Sequence, residues 1–290
     1  MKFTPNKTQF ILRGHASPAD ARFVILPVPY ERTTSYMKGT KYGPAAVLKA
    51  SGQLELWDEE LKKETWKEGI FTLSSFNCAG GEKSFFNKLE RSVSEVLNRI
   101  KGIPVFLGGE HSITQALVPP FQKRHKDLSI LHFDAHADLR TKYRGSAHSH
   151  ACALYPASRI SAVVQVGIRS VGDDEKHRIN AGKVRTCLMH ENPDIAALEK
   201  KVLKDLSDTV YLTIDVDGFD PSVMPGTGTP QPGGFMWHDA LRLFKAVCRN
   251  KKVVGLDLVE VRPLKGSPIT EFNAAKLLYR LMGYLSASRR

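Results

Sequence analysis

Residues 103–138, IPVFLGGEHSITQALVPPFQKRHKDLSILHFDAHAD, hold two short apolar runs (103–107 and 128–134) joined by a stretch with helical spacing. Runs of this length, rich in β-branched and aromatic residues, read as strands. The stretch between them reads as a helix that starts after Ser112, an acceptable N-cap, and is expected to kink or end at Pro119–Pro120. The same alternation extends in both directions. Residues 23–27, 162–168, 209–215 and 252–258 are further strand candidates. FFNKLERSVSEVLNRI from Phe85 places Leu89, Val93, Val96 and Leu97 on one helical face, with Ile100 closing the stripe. HDALRLFKAVCR from His238 and NAAKLLYRLMGYL from Asn273 are amphipathic in the same way. Strands alternating with helices give a mainly parallel sheet covered on both faces, an α/β fold in three α/β/α layers. No repeat, low-complexity tract or Gly/Ser/Pro linker interrupts the pattern, so residues 1–290 are expected to form one domain.

Composition narrows the classes. Hydrophobic residues at 42% and charged ones at 25% are ordinary globular values and exclude wholesale disorder. The longest apolar runs, such as FVILPVP from Phe23, are too short to span a bilayer, and no membrane partner is expected. MKFTPNKTQF shows no apolar core of a secretory signal, which predicts a cytoplasmic protein. Four well-separated cysteines fit a reducing compartment and argue against a disulfide framework or a cysteine zinc site. The 42 basic against 30 acidic residues leave a net charge of +12. The surplus lies in ELKKETWKE from Glu60, QKRHK from Gln122, EKKVLKD from Glu199, CRNKK from Cys248 and the terminal Arg289–Arg290. Most of these belong to helix faces with acidic residues mixed in, and so to solvated surface. The alternative is a polyanion-binding face. No aromatic residues interleave with the clusters and no nucleic-acid motif is present, so nucleic acid is not the expected partner.

Ligands of an open parallel sheet collect beyond the carboxyl ends of its strands, so the residues just after each strand carry the function. They are His111 in GGEHS, then Asp134, His136 and Asp138 in DAHAD, then Asp215, Asp217 and Asp220 in DVDGFDPS, and finally Glu260. In extended chain, residues two apart point the same way, which aligns Asp134, His136 and Asp138, and likewise Asp215 with Asp217. Carboxylates crowded at a half-buried edge cannot all ionise uncompensated; they hold protons or cations. Imidazole mixed with carboxylate suits Mn²⁺, Fe²⁺ or Zn²⁺, and two His with several Asp suit two ions bridged by shared carboxylates. Asp220 is instead expected to organise the turn beside Pro221. The Gly-rich PGTGTPQPGG lacks the Lys and following helix of a phosphate loop. It reads as a wall of the pocket, with Thr227 and Thr229 as supporting donors, and Cys152 reads as packing.

These motifs also resemble those of the arginase/agmatinase family of ureohydrolases, the agmatinases above all. The likeness runs from PVPYERTTSYMKGTKYGPAAVLKAS (27–51) through GGEHS, HFDAHADLR and SHA (149–151) to DVDGFDPSVMPGTGTPQPGG (215–234) and GLDLVEVRP (255–263). It implies an α/β/α sandwich and two manganese ions, one held by His111 and Asp138, the other by His136 and Asp217, with Asp134 and Asp215 reaching both. It implies a hydroxide between the ions that attacks a guanidinium carbon and that Asp138 helps to orient. Glu260 would grip the guanidinium and His150 would shuttle protons, releasing urea and an amine. Agmatine, giving putrescine, is the implied substrate in polyamine biosynthesis, and homo-oligomers, trimers or hexamers, are implied.

The tail of the guanidine is the open point. The loop LRTKYRGSAHSHA lacks the Asn/Thr/Ser-rich pattern with which arginases bind an amino-acid head group. Arg262, two residues after Glu260, and Arg140 and Arg144 in that loop would suit a carboxylate tail, as in guanidinobutyrate or formiminoglutamate, if they pointed inward; they are expected to face solvent or a neighbouring subunit. The competitor from another class is a non-catalytic, metal-bearing polyanion-binding protein.

Overall fold

Period-two alternation is what builds the layers. In the first strand, β1 (Phe23–Val28), Phe23 and Ile25 enter one hydrophobic core while Val24, Leu26 and Val28 enter the other. The computed structural model describes residues 3–11, 13 and 16–287; the Arg289–Arg290 pair lies outside them. After β1 come α1 (Gly43–Ser51), a small antiparallel hairpin of β2 (Trp57–Asp58) and β3 (Lys63–Glu64), β4 (Ile70–Thr72) and α2 (Glu82–Arg99). The central part holds β5 (Ile103–Gly108), α3 (Thr114–Arg124), β6 (Ser129–Phe133), α4 (Tyr155–Ile160), β7 (Ala162–Ile168) and β8 (Val184–Leu188). The chain closes with α5 (Ile195–Asp205), β9 (Thr209–Asp215), α6 (Trp237–Asn250), β10 (Lys252–Val259) and α7 (Ile269–Ala287).

Eight strands pair in the order β4-β1-β5-β10-β9-β6-β7-β8, every pair parallel. One core packs α1, α5, α6 and α7 on one face, and the second packs α2, α3 and α4 on the other. The expected three-layer α/β/α architecture is what forms. Amphipathic helices supply the cover: α6 buries Leu241, Leu243, Phe244 and Val247, each contributing roughly 1.5–3 kcal/mol. The last helix is tied to the hairpin by buried Arg280, whose Nε lies 2.6 Å from Asp58 Oδ2 and whose guanidinium also reaches Glu59 and Glu60.

Two local expectations are corrected. Ser112 does not cap α3; it lies in a 3₁₀ turn, His111–Ile113, that leads into the helix, and its hydroxyl donates to Glu110 Oε1 at 2.6 Å. Pro119 and Pro120 do not end α3, which continues to Arg124. Interior prolines cost a helix about 3 kcal/mol or more each. Burial of Ala116, Leu117, Val118, Pro120 and Phe121 against the sheet offsets this. Ile100, the half-buried, extended C-cap of α2, packs against the same core as the stripe of that helix. The two main-sheet strands missing from the sequence reading, β4 and β8, are its edges, short and in β8 partly polar.

The strand order places the site. β5, β10, β9 and β6 are consecutive in the sheet, so the segments after them share one stretch of its carboxyl edge. Gly109, just after β5, ties the ends of β1 and β10 to it. Its N–H donates to Val28 O at 3.0 Å and its carbonyl accepts from Glu260 N at 2.8 Å. A Cβ there would sit 2.1 Å from Tyr30 O. Gly109→Ala is therefore expected to lower stability by about 1–3 kcal/mol, the range for overpacking a closed site. Urea denaturation measures this, and an unchanged midpoint would refute the close-approach argument.

Candidate metal centre

The ends of the four central strands deliver His111, Asp134, His136, Asp138, Asp215, Asp217 and Glu260 to one place. Two overlapping groups of potential ligand atoms form there, His111 with His132 and Asp134, and Asp134 with His136 and Asp217, each within 4.8 Å. Asp134 belongs to both. His111 Nδ1 lies 3.0 Å from Asp134 Oδ2, 3.3 Å from Asp138 Oδ2 and 3.4 Å from Asp215 Oδ2. None of these contacts has the geometry of a hydrogen bond, so a fully buried ring nitrogen faces three carboxylates without a partner. His136 Nδ1 lies 3.0 Å from Asp217 Oδ2 and 3.5 Å from Asp134 Oδ1.

Backbone donors aim the carboxylates. Asp134 Oδ1 accepts from His136 N at 2.6 Å, Asp215 Oδ1 from Asp217 N at 2.8 Å, and Asp217 Oδ1 from Ala135 N at 3.1 Å. Each pair leaves one carboxylate oxygen turned toward the imidazoles. Asp138 and Glu260 have left-handed backbones, φ 51° and 62°, uncommon for residues with a side chain and typical of functional sites held by their surroundings. Glu260 Oε1 accepts from His111 N at 2.7 Å, joining the end of β10 to the turn after β5. Glu110 is structural. Its buried carboxylate takes the Arg32 and Thr33 amides and the Thr33 and Ser112 hydroxyls at 2.6–2.8 Å, pinning the loop after β1.

The electrostatics ask for cations. Burial, then Asp217 and Asp134, drives Asp215 well above the usual carboxylate range, and burial pushes Asp138 up to about 7. Glu260 is raised by burial and by Glu110. Burial works against a charged His111, yet Asp134, Asp138 and Asp215 hold its pKa well above the ordinary value; Asp217 and Asp134 do the same for His136. An oxygen-rich donor set with imidazoles among it is one that could hold metal ions in place of protons.

Two buried chains fix the imidazoles, and sequence reasoning missed both. His111 Nε2 lies 2.8 Å from Thr213 Oγ1, whose hydroxyl donates to Asp257 Oδ1 at 2.7 Å. His111 must then carry its proton on Nε2 and leave the Nδ1 lone pair for a metal. His132, unremarked in the sequence reading, lies 2.8 Å from Asp134 Oδ2 through Nε2. Its Nδ1 is 2.9 Å from Gln165 Nε2, and that amide nitrogen also donates to Ala137 O at 2.7 Å. A carbonyl only accepts, so the amide orientation is fixed, His132 Nδ1 accepts and Nε2 donates. His132 thus steadies Asp134 and has no lone pair free for an ion. The available signal was its position two residues before Asp134, on the same side of the strand.

A cavity of about 220 Å³ opens beside these groups, lined among others by Asp138, His150, Glu175, Asp215 and Glu260. His150 sits in a 3₁₀ turn capped by Ser149, and its N–H donates to Thr33 Oγ1 at 2.9 Å. Its buried Nε2 has no hydrogen-bond partner among the described residues. Burial, then His136 and His111, lowers its pKa to about 4, so the resting ring is neutral. Arg140 lines the cavity but pairs with Asp174 at 2.9 Å and lies over Tyr143. Arg144 is exposed and donates to Ser35 O, and Arg262 donates to Lys38 O, both at 2.9 Å. Thr229 Oγ1 is 3.5 Å from Asp217 Oδ2, whereas the buried Thr227 hydroxyl has no partner among the described residues. Asp220 organises its loop through Ser222, Gly233 and Gly234, and Cys152 is buried as packing. Arg169, also unforeseen, holds the pocket wall by donating to carbonyls of Asp217, Phe219 and Gln231.

Comparison with known proteins agrees with this geometry. The family model described as "Arginase family" matches residues 21–283. An N(1)-aminopropylagmatine ureohydrolase of Synechocystis sp. is 38% identical, over 100% of this chain and 97% of its own. An agmatinase of Pyrococcus horikoshii is 30% identical over 91% and 92% of the two chains. Among solved structures, the agmatine ureohydrolase of Thermoplasma volcanium superposes with a TM-score of 0.84 at 30% identity, over 92% of this chain and 90% of that one.

The His111 chain makes a direct prediction. Thr213→Val keeps the shape of the side chain but removes the acceptor for His111 Nε2, and should weaken divalent-metal affinity about 10–100-fold. Calorimetric titration with Mn²⁺ reads this; equal affinity would mean that the hydroxyl does not orient the ring.

Proposed function

The chain belongs to the arginase family of ureohydrolases, and we propose that it is a manganese-dependent member acting on an agmatine-type guanidine with a cationic tail. The observation that carries the metal assignment is His111 Nδ1, buried and turned toward three carboxylates while Nε2 is engaged by Thr213. His111 and Asp138 would hold one ion, His136 and Asp217 the other, and Asp134 and Asp215 would reach both. Such ions, when bound, supply Lewis acidity and make water acidic enough to ionise near neutral pH.

The residues of the chain do the rest. Glu260 Oε1 is anchored by His111 N–H, which leaves Oε2 and the remaining lone pairs for guanidinium N–H groups. Burial has raised Glu260, so a guanidinium cation beside it restores the carboxylate and is held by it. Asp138, held in its left-handed conformation, would orient the attacking water. His150, neutral at rest with Nε2 free, would carry the proton to the leaving nitrogen, since an amine departs readily only when protonated. Hydrolysis then yields urea and an amine.

The far end of the cavity supports a cationic tail. Arg140 is committed to Asp174, and buried Glu175, which accepts from the Leu139 and Gly172 amides, lines the same space, so among the described residues no uncommitted cation there awaits a carboxylate. This weighs against arginine, guanidinobutyrate and formiminoglutamate. Between cationic tails, the 38% identity with an N(1)-aminopropylagmatine ureohydrolase favours the aminopropyl-extended substrate, which would release a triamine. Agmatine, releasing putrescine, is the second reading, supported by the agmatinase relatives. Cytoplasmic location and a trimeric or hexameric assembly belong to the same reading and rest on the family resemblance.

Three outcomes follow. Metal analysis should find about two ions per chain, and Asp215→Asn should lose at least one, because a bridging carboxylate serves both. His150→Asn should keep its metal and lose about a hundredfold in kcat, the scale of a general acid–base group; loss of metal instead would make His150 a ligand. Urea release should rank N(1)-aminopropylagmatine and agmatine above arginine and guanidinobutyrate in kcat/KM. A preference for guanidinobutyrate would overturn the tail assignment.

A further inference from the structure

The opposite edge of the sheet carries a second cavity, about 270 Å³, where β5 and β10 begin. β5 separates it from the metal centre by about 20 Å, six residues at the strand rise. Among the described residues, six basic side chains line it, Arg22, Lys101, Arg124, His125, Lys251 and Lys252, and no Asp or Glu does. Two of the basic clusters noted in the sequence, 122–126 and 248–252, are thereby joined in one site.

Helix ends account for part of this charge and not for all of it. α2, α3 and α6 terminate here, and each helix C-terminus presents about half a negative charge, roughly one and a half together. Against this stand five formal cations besides His125. Lys251 is committed, donating to Leu206 O at 2.8 Å with Asp208 at 3.9 Å, and Arg124 bonds the Asn98 side chain. Arg22, Lys101 and Lys252 have no ion pair among the described residues. His125 registers the resulting field: burial, then Lys252 and Arg124, hold its pKa below the ordinary value, with nearby Asp127 working the other way. Half-buried Ile100, Ile103 and Val254 supply an apolar floor.

We propose that this cavity binds a small phosphate monoester, its dianionic head among Arg22, Lys101 and Lys252 and its carbon portion on the apolar floor. A guanidinium fork and two ammonium groups suit a multiply charged oxyanion. The concave, partly apolar shape suits a small molecule better than a nucleic-acid backbone, which tracks an extended basic surface.

Phenyl phosphate, which joins a dianion to an apolar ring, is the probe. Calorimetric titration of the metal-loaded protein in low salt should show one saturable site per chain with Kd of about 1 mM or tighter. Inorganic phosphate, leaving the floor bare, should bind more weakly. The double variant Lys101→Glu/Lys252→Glu changes two exposed residues and should weaken phenyl phosphate by about tenfold or more, while metal content and urea release stay unchanged. Equal binding by the double variant would locate the anion elsewhere, the metal centre included, and overturn the proposal. So would the absence of saturation in the unaltered protein. Binding of a DNA duplex with steep salt dependence, but not of phenyl phosphate, would reassign the face to nucleic acid and refute the small-anion site.

Discussion

Crowded negative charge is the constraint on which the rest of the structure depends. Four aspartates and Glu260 lie at one buried edge, with His111, His132 and His136 among them. Aligned dipoles and amide donors can aim such carboxylates, but at this burial the carboxylates must also hold protons or cations. Much of the surrounding polypeptide serves to keep the charges in place while they repel. Backbone amides fix one oxygen of Asp134, Asp215 and Asp217, and Glu110 anchors the loop from β1 so that the turn bearing His111 cannot drift.

Two of the left-handed non-glycine residues stand at that edge. Asp138 and Glu260, both candidates for direct work on substrate, adopt backbone conformations that side chains disfavour. The cost, of order 1–3 kcal/mol apiece, is small beside the burial of two extensive cores, and the parallel sheet leaves the loops at its carboxyl edge free to carry it. Rigid strands and strained loops thus divide the labour between stability and chemistry.

Most of the site was legible because its residues follow directly after recognisable strands. His111, the DAHAD run, Asp215, Asp217 and Glu260 could each be read as strand-end polar groups, and the sheet brings them together. Strand adjacency was not legible: nothing local says that β10 lies between β5 and β9, the fact that sets Glu260 beside His111. Nor was the support behind the site. Thr213, Asp257, Gln165 and Arg169 act through tertiary hydrogen bonds, and a buried Thr or Gln on a strand carries no local mark of its partner. α3 does not end at Pro119–Pro120 because packing against the sheet overrides local propensity.

The division between strand ends and loops has an evolutionary corollary. The metal-centre end of the cavity is walled by groups welded to the sheet, whereas the far end is walled by Arg140, Tyr143, Gly172 and Glu175, which belong to two connecting segments. Loops tolerate change that strands do not. Length and charge of the released amine can therefore diverge between lineages through a few loop substitutions, with the hydrolytic apparatus inherited unaltered. Relatives of one family with differently named substrates fit such modularity.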